Sequence, residues 1–341
     1  MINATLVAGV VLSLLFTLTN GMKDGANVLA TAVSSGSLAF RHALWLVALA
    51  ELVGPFLFGI PVALTVARGI VRVELLPRGI DAQLLVVGGV AGALTWNALS
   101  WLLRLPTSSS FALVGGLIGP ALYRFGMDGV PWTIFLLKVV GAMLISPFLG
   151  ILFGSLAYRL LVWLLREASF KSVRHLKRLH LAGVIVLGLN HGTNDSQKTM
   201  GLIALLLYLA GAAETPAVPL WAMVGSAVSL AAGITMGGTR IIRTVGYKIF
   251  RVRPEHSFCA QLSASLILLV CNLVGAPVST TQIVSSTVIG VGSASRRAGV
   301  RWQVIRAIFV GWAITIPVAA GLGTVFYIGL RNAYRWYSGG I

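Results

Sequence analysis

The chain repeats itself at a constant offset of 171 residues, half of its 341-residue length. NGMKDGAN at Asn20 to Asn27 aligns with HGTNDSQK at His191 to Lys198, and PTSSSFALVGGLIG at Pro106 to Gly119 aligns with PVSTTQIVSSTVIG at Pro277 to Gly290. Two unrelated motif pairs held in one register mean one unit written twice. What the repetition preserves is polar.

That polarity matters because the rest of the chain is not polar. With 57% hydrophobic and 10% charged residues and a mean hydropathy of +0.90, the composition excludes a soluble domain of this size and defines a polytopic membrane protein. Apolar stretches recur at about residues 4–20, 42–66, 80–103, 131–164, 217–236, 257–274 and 302–330. Most approach the ~20 residues that a helix needs to cross a bilayer, and shorter ones begin at the polar motifs. Strand-like alternation is absent, so helices must satisfy the backbone. The first stretch lacks a basic leader and a small-residue cleavage site and reads as a retained first helix.

A formal charge of +17 raises nucleic acid as a partner, but 15 of the 26 Lys and Arg residues fall in three connectors, Arg159 to Arg178, Arg240 to Arg253 and Arg296 to Arg306. Basic connectors between apolar spans report orientation by the positive-inside rule, and no nucleic-acid module is visible. Cys259 and Cys271 fit neither a redox nor a zinc spacing and read as packing residues.

The loop charges also relate the two halves. The basic connector at Arg296 to Arg306 corresponds to a stretch around Met127 to Phe135 that carries only Asp128, with Arg124 at its edge. Arg41 and His42 after the first motif likewise correspond to a region holding Glu214. Placing Arg41 and the basic connectors inside leaves the loops at 68–81, 128 and 214 outside, against the charge of Arg68, Arg72 and Arg78. Equivalent loops then face opposite sides, which requires an odd number of crossings per half and two inverted-topology repeats. Residues 1–168 form the first membrane repeat, 169–180 a basic cytoplasmic linker and 181–341 the second repeat, with both termini extracytoplasmic.

Asp24 and Asp195 sit among apolar stretches, where a carboxylate costs about 2.5 to 3.5 kcal/mol to insert. Asn27, Asn194 and Gln197 add carbonyl oxygens, a donor set suited to a hard cation such as sodium. The plainer alternative is a structural ion pair with Lys23 or Lys198. Thr107, Ser108 and Ser109 follow Pro106, and Ser279, Thr280 and Thr281 follow Pro277, a pattern that starts and caps helices. In a duplicated membrane protein, two such N-termini converging from opposite sides bind an anion through free N–H groups and the positive dipole ends. Bare carboxylates would repel a divalent anion, so a cation or proton must bind with it, and coupled symport follows. No Walker motif or nucleophile constellation is visible, which argues against an enzyme and against a cofactor other than the coupling ion.

At NGMKDGANVLAT, LPTSSSFALVGGLIG, HGTNDSQKTMG and PVSTTQIVSSTVIGVGSASRRAGVRW the chain resembles the PiT family of inorganic phosphate transporters, and with the intervening spacing the resemblance covers nearly its whole length. The family implies an all-α inverted-repeat fold with short broken or re-entrant helices meeting at a central site, symport of phosphate with sodium or protons, and in several members a homodimer. By that resemblance Asp24, Asn27, Asn194 and Asp195 carry over as cation and substrate ligands, and Thr107 to Ser109 and Ser279 to Thr281 as phosphate ligands, with Gln197 counted among the phosphate-binding residues. Glu51 matches a position that is often acidic and is counted with the cation ligands; its plainer reading is an ion pair with Lys138 or an arginine. The chain has Phe111 and Gln282 where members often carry His, which removes obvious proton carriers, whereas Lys23 could replace a bound cation beside Asp24.

The leading expectation is a cation-coupled phosphate importer of the cytoplasmic membrane. Sulfate or metal-phosphate transport on the same architecture, and a non-transporting receptor or channel, are the alternatives. If the halves are inverted, single cysteines at Asp128 and Ala298 label from opposite sides of the membrane; labelling of both from one side would overturn the inversion.

Overall fold

The computed structural model describes residues 3–103, 105, 107–166, 170–237, 250, 252–296 and 299–338. Pro106, Ser169, most of the Arg240 to Arg253 connector, Arg297 and Ala298 lie outside them. Eleven helices are described: α1 (Ala4–Ser34), α2 (Phe40–Val53), α3 (Pro61–Gly69), α4 (Ile80–Leu102), α5 (Ser109–Phe125), α6 (Trp132–Leu164), α7 (Phe170–Leu209), α8 (Leu220–Met236), α9 (Pro254–Val274), α10 (Thr280–Arg296) and α11 (Trp302–Tyr337). Helix is the only regular structure among the described residues, as an apolar solvent demands of backbone N–H and C=O groups.

Helices α1, α4, α6, α9 and α11 are long and apolar enough to span a membrane. The apolar stretch expected at 42–66 is instead bent by 72° between Phe56 and Pro61. Gly59 adopts a positive φ of 67°, and Pro61 opens α3 without an N–H to donate, so the chain turns there despite its hydropathy. A second difference concerns the aspartate motifs. NGMKDGAN lies inside the unbroken α1 and HGTNDSQK inside the unbroken α7. Neither motif contains proline, and their polar side chains find partners on other helices, so nothing forces a break. The basic segment at 170–180 forms the opening turns of α7.

The breaks fall at the other motif pair, between α4 and α5 and between α9 and α10. These hairpins are exchanged between halves: α4 and α5 pack on α11, while α9 and α10 pack on α6. Glycine makes the exchange possible at equivalent positions. A Cβ on Gly119 would lie 2.1 Å from the Ala320 carbonyl oxygen on α11, and one on Gly290 would lie 2.2 Å from that of Ile151 on α6. Close backbone approach through small residues is how helices gain contact where lipid offers no hydrophobic drive.

The loops expected on one side do meet. The Arg72 N–H donates to the Gly129 carbonyl and the Gly79 N–H to that of Leu209, both at 2.9 Å. Arg78 donates to the Glu214 carbonyl at 2.9 Å and stacks over the Tyr208 ring, so its charge is partnered within that cluster. At the opposite end of α6 and α7, His256 meets Ser295 at 3.0 Å and the Tyr158 and Phe250 rings, and His180 meets Ser257 at 2.7 Å.

Gly119→Val and Gly290→Val are each expected to lower the unfolding free energy by about 1–3 kcal/mol through overpacking. Thermal denaturation in detergent measures it; unchanged midpoints would deny that these glycines set the helix spacing.

Candidate functional site

The two helix breaks meet head-on. Ser108 and Ser279 are repeat equivalents, and the Ser108 hydroxyl donates to the Ser279 hydroxyl at 2.8 Å across the 171-residue separation. Each serine is also the N-cap of its helix: Phe111 N–H donates to Ser108 Oγ and Gln282 N–H to Ser279 Oγ, both at 3.3 Å. The flanking residues pair reciprocally. Asn27 Nδ2 donates to Thr281 Oγ1 at 2.8 Å, and its equivalent Lys198 donates to Ser110 Oγ, the equivalent of Thr281, at 2.6 Å. Within each half a further pair repeats: Lys23 donates to Thr107 Oγ1 at 2.7 Å, and at the equivalent positions Val278 N–H donates to Asn194 Oδ1 at 3.4 Å. The Ser108–Ser279 contact and the Asn27–Thr281 and Lys198–Ser110 contacts, in which each half touches the other through the same patch, mark a two-fold relation.

The helical repeat places the partners on this axis. Asn20, Asp24 and Asn27 occupy positions i, i+4 and i+7 of α1, and His191, Asp195 and Lys198 do the same on α7, so each triplet shares one face. All six are buried. Asp24 Oδ1 accepts from the Thr281 hydroxyl at 2.8 Å, and Asp195 Oδ2 accepts from Asn20 Nδ2 at 3.0 Å. Lys198 Nζ reaches Asp195 Oδ1 at 2.5 Å and the Val278 carbonyl at 2.8 Å.

Lys198 thus pairs with an aspartate, but Lys23 turns away from the neighbouring Asp24. Besides Thr107 it donates to Ser100 at 3.0 Å and Asn97 at 3.4 Å. The ion pair expected between Glu51 and Lys138 or an arginine is replaced by another. Glu51 on α2 meets His191 Nδ1 at 2.7 Å, with both side chains fully buried. His191 Nε2 lies 3.1 Å from Asp195 Oδ2 without hydrogen-bond alignment. The absence of proton carriers inferred from Phe111 and Gln282 is therefore corrected: an imidazole stands between two carboxylates. The preceding residue of the aspartate motif was the available signal, together with Gly192, whose missing side chain lets the Glu51 backbone approach within 2.5 Å of where a Cβ would sit.

Asn194 and Gln197 stand apart from the two carboxylates. Asn194 Nδ2 donates to Asn272 Oδ1 at 2.8 Å and to the Ala276 carbonyl at 3.3 Å, holding the α9 to α10 break. Gln197 Oε1 accepts from the N–H groups of Val62 and Ala63 at 2.8 and 3.2 Å, and its amide donates to the Gly59 carbonyl at 3.0 Å. It therefore caps α3 from a distance, in place of the side chain that Ile60 cannot supply.

Several buried polar atoms have no protein partner among the described residues. They include Ser109 Oγ and its repeat equivalent Thr280 Oγ1, and the carbonyl oxygens of Asn20 and Asn27. A buried polar group without a partner costs about 1–3 kcal/mol, so a hydroxyl pair left open at the start of two meeting helices marks the candidate site.

Broken helices meeting inside a duplicated, exchanged bundle, with donors at their N-termini, define a membrane transporter rather than an enzyme. The chain matches the phosphate transporter family model over residues 20–182 and 166–323, and it belongs to that family. It is 38% identical to a Mycobacterium tuberculosis protein described as "Probable low-affinity inorganic phosphate transporter", over 97% of this chain and 79% of the relative. Relatives from Rhizobium meliloti and Bacillus subtilis with the same description are 36% and 32% identical, covering 94% and 95% of this chain and 95% and 97% of their own. The solved structure of a sodium-dependent phosphate transporter superposes with a TM-score of 0.88 at 22% identity, over 96% of this chain and 99% of that one, and establishes the likeness of fold.

Gln197→Met removes the acceptor for two α3 N–H groups and is expected to cost about 1–2 kcal/mol of stability. Phosphate affinity should stay within about twofold, since none of its hydrogen bonds reaches the serine pair; a tenfold loss without destabilisation would instead make Gln197 a ligand.

Proposed function

We propose that this protein is a secondary active transporter that imports inorganic phosphate across the cytoplasmic membrane by alternating access, coupled to sodium or protons. The observation that carries the reading is the hydroxyl pair of Ser109 and Thr280. These groups stand at the first turns of α5 and α10, where free N–H groups and both dipole ends favour a tetrahedral oxyanion. Ser108 and Ser279 hold the two N-termini together, and Thr107, Ser110 and Thr281 complete the ring. The unpartnered carbonyl oxygens of Asn20 and Asn27 can accept from the P–OH of HPO4, a donor that sulfate lacks, which favours phosphate over sulfate. Paired breaks related by a two-fold support rocking of one half against the other rather than a continuous pore.

Loop charge and reciprocal contacts support an axis lying in the membrane plane, with inverted halves and the basic 169–180 segment cytoplasmic. For sodium, Asp24 and the Asn27 oxygen, one turn apart on α1, form a hard-cation donor set. One observation favours protons as a second reading: the Glu51, His191 and Asp195 chain can hand a proton along buried groups to the substrate site.

Phosphate uptake into proteoliposomes, with sodium and proton gradients imposed separately, tests the reading. One gradient is expected to drive accumulation, excess sulfate to compete weakly, and Ser109→Ala with Thr280→Ala to weaken phosphate binding more than about tenfold. Because those hydroxyls have no protein partner, the double variant should lose under about 1 kcal/mol of stability. Accumulation indifferent to both gradients would overturn symport.

A further inference from the structure

The two halves are related by a two-fold but differ in side-chain charge at the repeat-equivalent pairs Lys23 and Asn194 and Asn27 and Lys198, and only the second of these places a cation against an aspartate. In the second half the Lys198 ammonium is buried among three oxygens, with Asp195 Oδ1 at 2.5 Å, Ser110 Oγ at 2.6 Å and the Val278 carbonyl at 2.8 Å, so all three of its N–H bonds are used. In the first half the equivalent oxygens belong to Asp24, Thr281 and Thr107. There the equivalent side chain is the neutral Asn27, whose Nδ2 donates to Thr281 and whose carbonyl oxygen is buried without a partner.

The other fixed cations near the axis make their hydrogen bonds and ion pairs elsewhere. Lys23 spends its three donors on neutral oxygens, and His191 faces Glu51 and Asp195. Asp24 accepts only from the Thr281 hydroxyl among the described residues, and no basic side chain pairs with it.

We propose that Lys198 is a built-in cation that occupies, in the second half, the position a mobile cation takes beside Asp24 in the first. Resting on the symport reading, this makes the coupling asymmetric: one mobile cation travels with each phosphate, and it binds on the Asp24 side. A two-fold-symmetric ancestor site with Asn at both positions would take two. The ammonium suits the role because its oxygen distances and single charge resemble those of a bound monovalent cation, yet it cannot leave.

Linkage makes the number of cations readable in purified protein, since the slope of log Kd for phosphate against log cation concentration counts the cations bound with it. The titrated ion is sodium or the proton, whichever drives uptake in the proteoliposome experiment. A tenfold rise in that ion is expected to tighten phosphate binding about tenfold in the wild type, about a hundredfold in Lys198→Asn, and not at all in Asn27→Lys. Should Lys198→Asn fail to fold, the wild type and Asn27→Lys decide. A wild-type tightening of about a hundredfold, or an Asn27→Lys variant that keeps the tenfold dependence, would overturn the built-in cation while leaving symport standing. Phosphate binding indifferent to both ions would overturn symport, and this inference with it.

Discussion

The hydrogen bond between Ser108 and Ser279 is the interaction from which the rest of the structure is organised. Each hydroxyl caps a helix whose first N–H groups would otherwise face an apolar medium, and each is held by its counterpart from the other half. A helix interrupted in the middle of a membrane is tolerable only where the freed backbone groups face protein or a polar cavity. Here that condition is met by symmetry, because each break supplies the environment of the other. The exchanged packing of α4 and α5 on α11 and of α9 and α10 on α6 accompanies this meeting of the two breaks.

Burial then dictates the electrostatics. Asp24, Glu51, Asp195, Lys23, Lys198 and His191 are all sequestered within one helical bundle, where Coulomb energies are several times their value in water. Asp195 is accordingly surrounded by Lys198, Asn20 and His191, and Glu51 by His191. Asp24 is the exception, bonded only by a hydroxyl. The molecule is close to two-fold in the geometry of its central contacts and asymmetric in the charge beside its two aspartates.

Family membership and the likeness of fold agree with this arrangement, but the local chemistry belongs to this chain. Lys23 illustrates the point. Its position next to Asp24 in sequence suggests an ion pair, yet consecutive residues on a helix point about 100° apart. The ammonium therefore faces α4 and the Thr107 hydroxyl, bracing the break, while the aspartate faces Thr281. The pairing that does form, Lys198 with Asp195, spans one turn of α7, where side chains three apart are neighbours.

From the sequence alone, the duplication, the membrane class, the polar motifs and the two capped helix starts were legible, because repetition, hydropathy and proline followed by hydroxyl residues are all local signals. The loops at 68–81, 128 and 214 were grouped at one end by the charge of the basic connectors elsewhere, although Arg68, Arg72 and Arg78 argued against it. Three features were decided only by tertiary structure. The aspartate motifs stay within unbroken helices, because their polar side chains are satisfied by residues up to 257 positions away. The bend in the 42–66 stretch, which Gly59 and Pro61 permit, is held because Gln197 from the other half caps the N–H groups that the turn exposes. And Glu51 chooses His191 over any lysine or arginine, because Gly192 lets α2 approach α7 closely enough for the two to meet. Each depends on which helices touch, and no local pattern encodes that.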